Sequence, residues 1–354
     1  MRERAGRGRP DGERMRVPHT RPGVWPDVQA SRFAAGIQRD MALVEPVGDP
    51  PGEGGGRPAV VLLGLPDDSG IALNRGRVGA AEGPTAFRAA LAAYGTSFDL
   101  GRGGSPAVRV LDAGDVVPVG GAGADALHQT HRRVTDAVRA IHDAGHVPVC
   151  VGGGHDLTFP AVRALAENVA EGSGASERSP LGGLSVDAHL DVREEVGSGM
   201  PFRRLIEGGY VDGGRFSVFG ASRFVHAPEH VAWLRERGAT LFGVDTVRKD
   251  EAAVDLAFSL AFGSVLARPA APGFVSIDLD ALDGAYAPGV SAVNPLGLDV
   301  LMVASLAERA GRTRGVRHFD IMELSPPHDP DGRTARVAVL LFLHFIAGLA
   351  GRAT

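Results

Sequence analysis

From residue 58 onward the chain alternates between two kinds of segment, and that alternation limits the folds open to it. Apolar runs of strand length recur as "AVVLLGLP", "VRVLDAGD", "VPVCVGGG", "LGGLSVDAH", "RFSVFGAS", "ATLFGV", "GFVSIDLD" and "VRHFDIMEL". Helical segments such as "ADALHQTHRRVTDAVRAIHDAG" and "HAPEHVAWLRERG" lie between most of them. Strands that are apolar on nearly every residue are covered on both faces, which is the signature of a parallel sheet with helical crossovers. About eight such strands fit an open three-layer α/β/α sheet or a closed barrel. The stretch "AENVAEGSGASERSP" reads as a polar surface loop. No repeat or break interrupts 58–354, so this region reads as one domain.

Residues 1–57 have a different character. The opening "MRERAGRGRPDGERMRVPHTRPG" is rich in Arg, Gly and Pro and lacks the apolar stretch of a secretory signal; its acidic residues argue against a transit peptide. It reads as a largely disordered leader, with Met15 as a second candidate start. A short ordered approach is expected between Trp25 and Val44, and "VGDPPGEGGGRP" links it to the main domain. The net charge of -5 gives no reason to expect nucleic acid or an acidic membrane as a partner. No apolar run approaches the length needed to cross a membrane, and a cytoplasmic location is expected. The single cysteine, Cys150, excludes an internal disulfide and reads as a small residue of a buried strand.

In folds of this class, chemistry gathers at the carboxyl ends of the strands, and the polar residues are there. "SVDAHLDVR" places Asp187, His189 and Asp191 on every second residue, so that in an extended segment all three point one way. "SIDLDALD" repeats the pattern with Asp278 and Asp280, His155 and Asp156 follow "VPVCVGGG", and Glu323 ends "VRHFDIM". Taken singly, each motif has a plainer reading: Asp156 as a helix cap, "DLD" as the cap of the next helix, Glu323 as a carboxylate holding a loop amide. Asp187, Asp191, Asp278 and Asp280 with His155 and His189 make four carboxylates and two imidazoles converging on one pocket. Two metal ions sharing bridging carboxylates can use all six, and an oxygen-rich set with some imidazole suits Mn²⁺. Ions about 3.5–4 Å apart can share and deprotonate a water near neutral pH.

"GGGHD", "SVDAHLDVR" and "SIDLDALDGAYAPGVSAVNPLGL" resemble the three signatures of the ureohydrolases, the family of arginase, agmatinase and formimidoylglutamase. The resemblance runs from about Ala59 to the C-terminus. It implies a three-layer α/β/α domain with a mostly parallel, eight-stranded sheet and two Mn²⁺ per chain. By that resemblance His155, Asp187, Asp191 and Asp278 match the ligands of one ion. Asp187, His189, Asp278 and Asp280 match those of the other, with Asp187 and Asp278 bridging. Members hydrolyse C–N bonds at amidine or guanidine carbons, and Glu323 matches the glutamate that orients the cationic group. A homo-oligomer acting on a small-molecule amidine is expected.

The substrate must be read from residues that differ among members. In "GSGMPFRRL", Ser198 stands where arginases and agmatinases carry a histidine assigned to proton transfer, and a serine-glycine here resembles formimidoylglutamases. Met200 also departs from the usual threonine. "LNRGRVGAAEGPTAFR" resembles the N-x-G-R-x-G-A-x-x-G-P segment of the same enzymes. Arg193, two residues past Asp191, offers a fork suited to a carboxylate and would repel agmatine; Arg77 is a second candidate. These residues point to N-formimidoyl-L-glutamate, cleaved to L-glutamate and formamide in histidine degradation, with Asp280 carrying a proton to the leaving amine. The alternatives are an agmatine or guanidino-acid hydrolase and a non-catalytic binding protein on the same fold.

Overall fold

The computed structural model describes residues 17–27, 32–37, 39, 59–94, 108–173, 179–247, 252–263 and 271–352. The start of the leader and the linker "VGDPPGEGGGRP" lie outside the described residues, as does most of the expected ordered approach past Asp27. Among the described residues nine strands form one sheet: β1 (Thr20–Arg21), β2 (Val60–Leu65), β3 (Val110–Val116), β4 (Val147–Gly152), β5 (Leu181–Val186), β6 (Val211–Ala221), β7 (Thr240–Gly243), β8 (Gly273–Asp278) and β9 (Val316–Met322). Their order is β1-β3-β2-β4-β9-β8-β5-β6-β7, with β1 and β7 as free edges, so the sheet is open rather than a barrel. β2 to β9 are the eight expected strands, and every pairing among them is parallel.

The alternation of side chains across β2 shows why its run is apolar throughout. Val60 and Leu62 join the core on one face, while Val61, Leu63 and Leu65 join the core on the other. Helices Gly83–Ala93, Ala252–Phe262, Val300–Arg312 and Arg333–Ala350 cover the first face. Helices Ala124–Asp143, Thr158–Ser173, Pro201–Glu207 and Pro228–Glu236 cover the second. These are the three layers.

Three readings of the sequence change here. The polar stretch from Ala166 is not all loop: the helix Thr158–Ser173 runs through its first half, because Val162, Leu165 and Ala166 bury one face while Glu167 and Glu171 stay out. The helix Arg333–Ala350 does reach membrane-spanning length, with a mean hydropathy of 1.5, but its apolar side packs into the core through Leu341, Phe342 and Phe345. Part of the leader belongs to the sheet: β1 pairs antiparallel with β3. Gly114 takes φ +70, and a Cβ there would lie 2.0 Å from the Arg21 carbonyl, so only glycine lets the leader cross so closely.

That crossing covers a buried ionic cluster. Arg88 is 1% exposed and donates to Asp112 at 3.0 and 2.7 Å and to Asp115 at 2.6 Å. Trp25 closes it from the leader, its Nε1 donating to Asp112 Oδ2 at 2.6 Å.

Candidate metal centre

Strands far apart in sequence become neighbours in the centre of the sheet, where β4, β9, β8 and β5 lie side by side. Their carboxyl ends deliver His155, Glu323, Asp278 with Asp280, and Asp187 with His189 and Asp191, respectively. His155 Nδ1 lies 3.2 Å from Asp187 Oδ2, 2.9 Å from Asp191 Oδ2 and 3.1 Å from Asp278 Oδ2. His189 Nδ1 lies 3.1 Å from Asp280 Oδ2 and 3.6 Å from Asp187 Oδ1. The donor atoms form two groups, His155–Asp187–Asp191–Asp278 and Asp187–His189–Asp280, each spanning no more than 4.8 Å. Asp187 serves both, one oxygen to each. Asp278 belongs to the first group, and its Oδ1 accepts from the Asp280 amide at 2.8 Å.

The convergence has a different local cause from strand alternation. β5 ends at Val186, and the triad lies in the bend beyond it. Asp187 Oδ1 accepts from the His189 amide at 2.6 Å, and Asp191 takes φ 48. A tight Asx turn and one left-handed residue therefore gather the three side chains. Asp278 does cap the short helix Leu279–Ala281, as "DLD" suggests. Asp156 caps nothing; its Oδ2 pairs with His131 Nε2 at 2.7 Å behind the His155 turn.

A single ring nitrogen carries at most one proton, yet three carboxylate oxygens face His155 Nδ1. None of them forms a hydrogen bond with it, and Asp187 Oδ2 and Asp280 Oδ1 are buried without partners. Donor atoms sharing one small divalent ion at about 2.1 Å along perpendicular bonds sit roughly 3.0 Å apart, which is the separation seen. The residues fit metal. The electrostatics agree: burial, then Asp280 and Asp187, drive Asp278 well above the usual carboxylate range. Burial also leaves Asp191 and Asp280 raised, and Asp280 with Asp187 pushes His189 up. Burial works against the charge of His155, but Asp187, Asp191 and Asp278 outweigh it and raise its pKa strongly. So much unbalanced negative charge calls for a cation.

The sequence gives no hint of how His155 is held. His155 Nε2 lies 3.0 Å from Ser276 Oγ. That hydroxyl donates in turn to Asp320 Oδ1, while Asp320 Oδ2 takes Thr158 Oγ1 at 3.1 Å and His318 Nε2 at 3.0 Å. With Nδ1 facing the carboxylates, Nε2 carries the proton and the chain runs His155 to Ser276 to Asp320. This is the outer support that metal-binding histidines need. Ser276 and Asp320 are cross-strand partners on β8 and β9, a relation that only the pairing register reveals.

Beside the cluster is a cleft of about 120 Å³, lined by Asn74, Arg193, Ser198, Ser291 and Glu323 together with the cluster itself. A larger groove of about 440 Å³ near Tyr286 and His344 holds no comparable constellation. Glu323 takes φ 68, its Oε1 accepts from the His155 amide at 3.1 Å, and its Oε2 is buried without a partner. Burial, with Asp280 nearby and Ser291 opposing, pushes its carboxyl up to about 8. Arg193 is exposed at the cleft, and neither Glu194 nor Glu195 pairs with it; Glu194 lies 3.5 Å from Arg203 instead. Ser198 Oγ donates to Asn74 Oδ1 at 3.3 Å. Arg77 does not face the cleft. Its Nη2 and Nε donate to the carbonyls of Val290 at 2.6 Å and Ser291 at 3.3 Å, so it holds a wall rather than a ligand. Asn74, the first residue of the N-x-G-R segment, and Ser291 line the cleft although neither is a candidate on sequence grounds.

Residues 58–348 match the model of the arginase family. The chain is 36% identical to the formimidoylglutamase of Nocardia farcinica over 288 residues, 79% of this chain and 84% of that one. It is 35% identical to that of Aromatoleum aromaticum over 309 residues, 83% and 84% of the two chains. Among solved structures, Trypanosoma cruzi formiminoglutamase with Mn²⁺ is 31% identical, covers 84% of this chain and 95% of its own, and superposes with a TM-score of 0.73. Proclavaminate amidino hydrolase from Streptomyces clavuligerus shares the fold, with 24% identity over 93% and 99% of the two chains and a TM-score of 0.74. The open, mostly parallel sheet, the paired His/Asp groups at its central strand ends and the match over most of its length agree: this chain belongs to the arginase family.

Proposed function

We propose that this chain hydrolyses N-formimidoyl-L-glutamate to L-glutamate and formamide, using two Mn²⁺, one that His155, Asp187, Asp191 and Asp278 would hold and one that Asp187, His189, Asp278 and Asp280 would hold. The observation that carries the reading is one cleft holding three things together: the metal-type cluster, the unpartnered Glu323 Oε2 and the free Arg193 guanidinium. A substrate with an amidine at one end and carboxylates at the other matches that arrangement. Agmatine offers a cation where Arg193 stands, which argues against the agmatinase alternative.

The metal pair, when bound, supplies a hydroxide nucleophile at neutral pH. The protein's own groups do the rest. Glu323, which neighbouring divalent cations and the amidinium itself would hold as a carboxylate, accepts from the amidinium N–H through Oε2, orienting its carbon toward the cluster. The positive φ of Glu323, with its amide tied to the Gly153 carbonyl at 2.9 Å, aims that oxygen into the cleft. Arg193, with Ser198 nearby, takes the carboxylate end. As the C–N bond to the glutamate nitrogen breaks, the leaving amine needs a proton. Asp280 Oδ1 is buried and unpartnered beside the cleft, so it is the group assigned to pass the proton released by the attacking water to that amine. A cytoplasmic location and a homo-oligomer belong to the same reading.

The experiment is a substrate panel on manganese-loaded protein: formimidoylglutamate, arginine, agmatine and guanidinobutyrate, with glutamate, ornithine and urea or formamide as readouts. Release of glutamate and formamide from the first alone is expected. A faster reaction with a guanidine would overturn the assignment.

A further inference from the structure

The segment Asn74–Arg77 contacts both sides of the cleft without belonging to the metal cluster. Asn74 caps the end of the helix Ser69–Leu73. Its Oδ1 accepts from the Gly199 amide at 2.8 Å and from Ser198 Oγ at 3.3 Å. The same helix holds this loop a second time, where the Ser198 amide donates to the Gly70 carbonyl at 3.0 Å. The loop in turn supports Arg193. Its amide donates to the Gly199 carbonyl at 2.8 Å, and its stem lies on Gly199 so closely that a Cβ there would sit 2.9 Å from Arg193 Cδ. Three residues on, Arg77 crosses to the opposite wall and holds the Val290 and Ser291 carbonyls, beside Glu323. The segment is itself anchored: Asp68 Oδ2 accepts from the Gly79 amide at 2.6 Å, and His328 Nε2 meets the Val78 carbonyl at 3.1 Å.

We propose that Asn74 and Arg77 are positioning residues, Asn74 for substrate selectivity and Arg77 for turnover. Asn74 fixes the wall that reads the carboxylate, and Arg77 fixes the wall beside Glu323 that reads the amidine. The proposal rests on the functional reading above and adds a division of labour to it. Arg193 is a flexible, exposed side chain. Its value as a carboxylate reader depends on where its stem starts, and Asn74 sets that point through Gly199. Displacement of a reacting group by a fraction of an ångström acts on turnover instead, and that is the side Arg77 holds.

The two arms predict different kinetic signatures, measured on the full-length, manganese-loaded chain with formimidoylglutamate and the carboxylate-free N-butylformamidine. Asn74→Ala should raise KM for formimidoylglutamate about tenfold, leave kcat within about twofold and leave N-butylformamidine unchanged. In an Arg193→Ala background the same substitution should add almost nothing, because its effect passes through Arg193. Arg77→Ala should lower kcat about tenfold on both substrates with little change in KM. Manganese content should stay at the wild-type level in each variant. Equal losses of Asn74→Ala on both substrates, full additivity with Arg193→Ala, or unchanged kcat in Arg77→Ala would each overturn the proposal. A wild type that does not prefer formimidoylglutamate to N-butylformamidine overturns both this proposal and the functional reading. A wild type that does prefer it, with Asn74→Ala indifferent, overturns the proposal alone.

Discussion

Replacing Ser276 with Ala should weaken manganese binding although Ser276 touches no metal. The hydroxyl is fully buried, 3.0 Å from His155 Nε2, and it donates to Asp320 Oδ1. It fixes the tautomer that leaves Nδ1 free to bind an ion. Without it, Nε2 has no acceptor, and the ring gains access to the tautomer that protonates Nδ1 and blocks the ligand. Asp320 keeps Thr158 and His318 as partners, so the loss falls mainly on His155. Supports of this kind are worth roughly 10–100-fold in metal affinity, and an unsatisfied buried donor costs about 1–3 kcal/mol of stability. Competition of the metal-stripped protein with a fluorescent Mn²⁺ chelator measures the first, and thermal unfolding the second. Ser276→Thr keeps the hydroxyl and should bind more tightly than Ser276→Ala. An Ala variant that lost stability but bound manganese within twofold of wild type would refute the tautomer argument.

Other perturbations read other parts of the site. Arg193→Ala should lower kcat/KM on formimidoylglutamate about tenfold, the lower end for a charge-assisted pair because the group is exposed. It should leave N-butylformamidine and the metal count unchanged, and equal losses on both substrates would make it a support of the metal loop. Arg88→Met would strand Asp112 and Asp115 in the core, at about 3–5 kcal/mol. A chain of 354 residues gains on the order of 0.7 kcal/mol/K on unfolding, so Tm should fall about 4–7 °C; a fall below 1 °C would mean that water reaches the cluster. The stabilisation by added manganese should grow between pH 5 and pH 8. Glu323, raised from 4.5 to about 8, favours the metal-stripped fold fully only below pH 4.5 and loses that contribution as pH rises through 8. The raised Asp191, Asp278 and Asp280 have the same sign, and protons compete with metal at low pH. Thermal shifts with and without EDTA across that range provide the check; a gain that shrank with pH would contradict it.

The sheet was readable because its signal is local. Eight double-sided apolar runs need burial on both faces wherever they pair, and all eight became strands. β1 was not readable: a two-residue strand has no pattern, and its place depends on Gly114 and Trp25 meeting a cluster formed by residues far along the chain. In the site, Asp187, His189 and Asp191 stood out by crowding, although an Asx turn rather than strand alternation gathers them. Arg77 turned from the cleft to a wall, and Asn74 went unnoticed, because a residue type reveals what a side chain can bind, not which way the backbone aims it. Ser276 and Asp320 left no mark in the sequence: their relation exists only in the register of β8 against β9.

Metal-stripped protein titrated with Mn²⁺, with bound metal and glutamate release from formimidoylglutamate followed on the same samples, tests the central claim most directly. No turnover without metal, saturation at two ions per chain and activity that depends on filling both sites are expected. Asp187→Ala should lose both ions, since Asp187 serves both groups. Full turnover of the stripped protein, or an Asp187→Ala variant that still held two ions and worked normally, would contradict it.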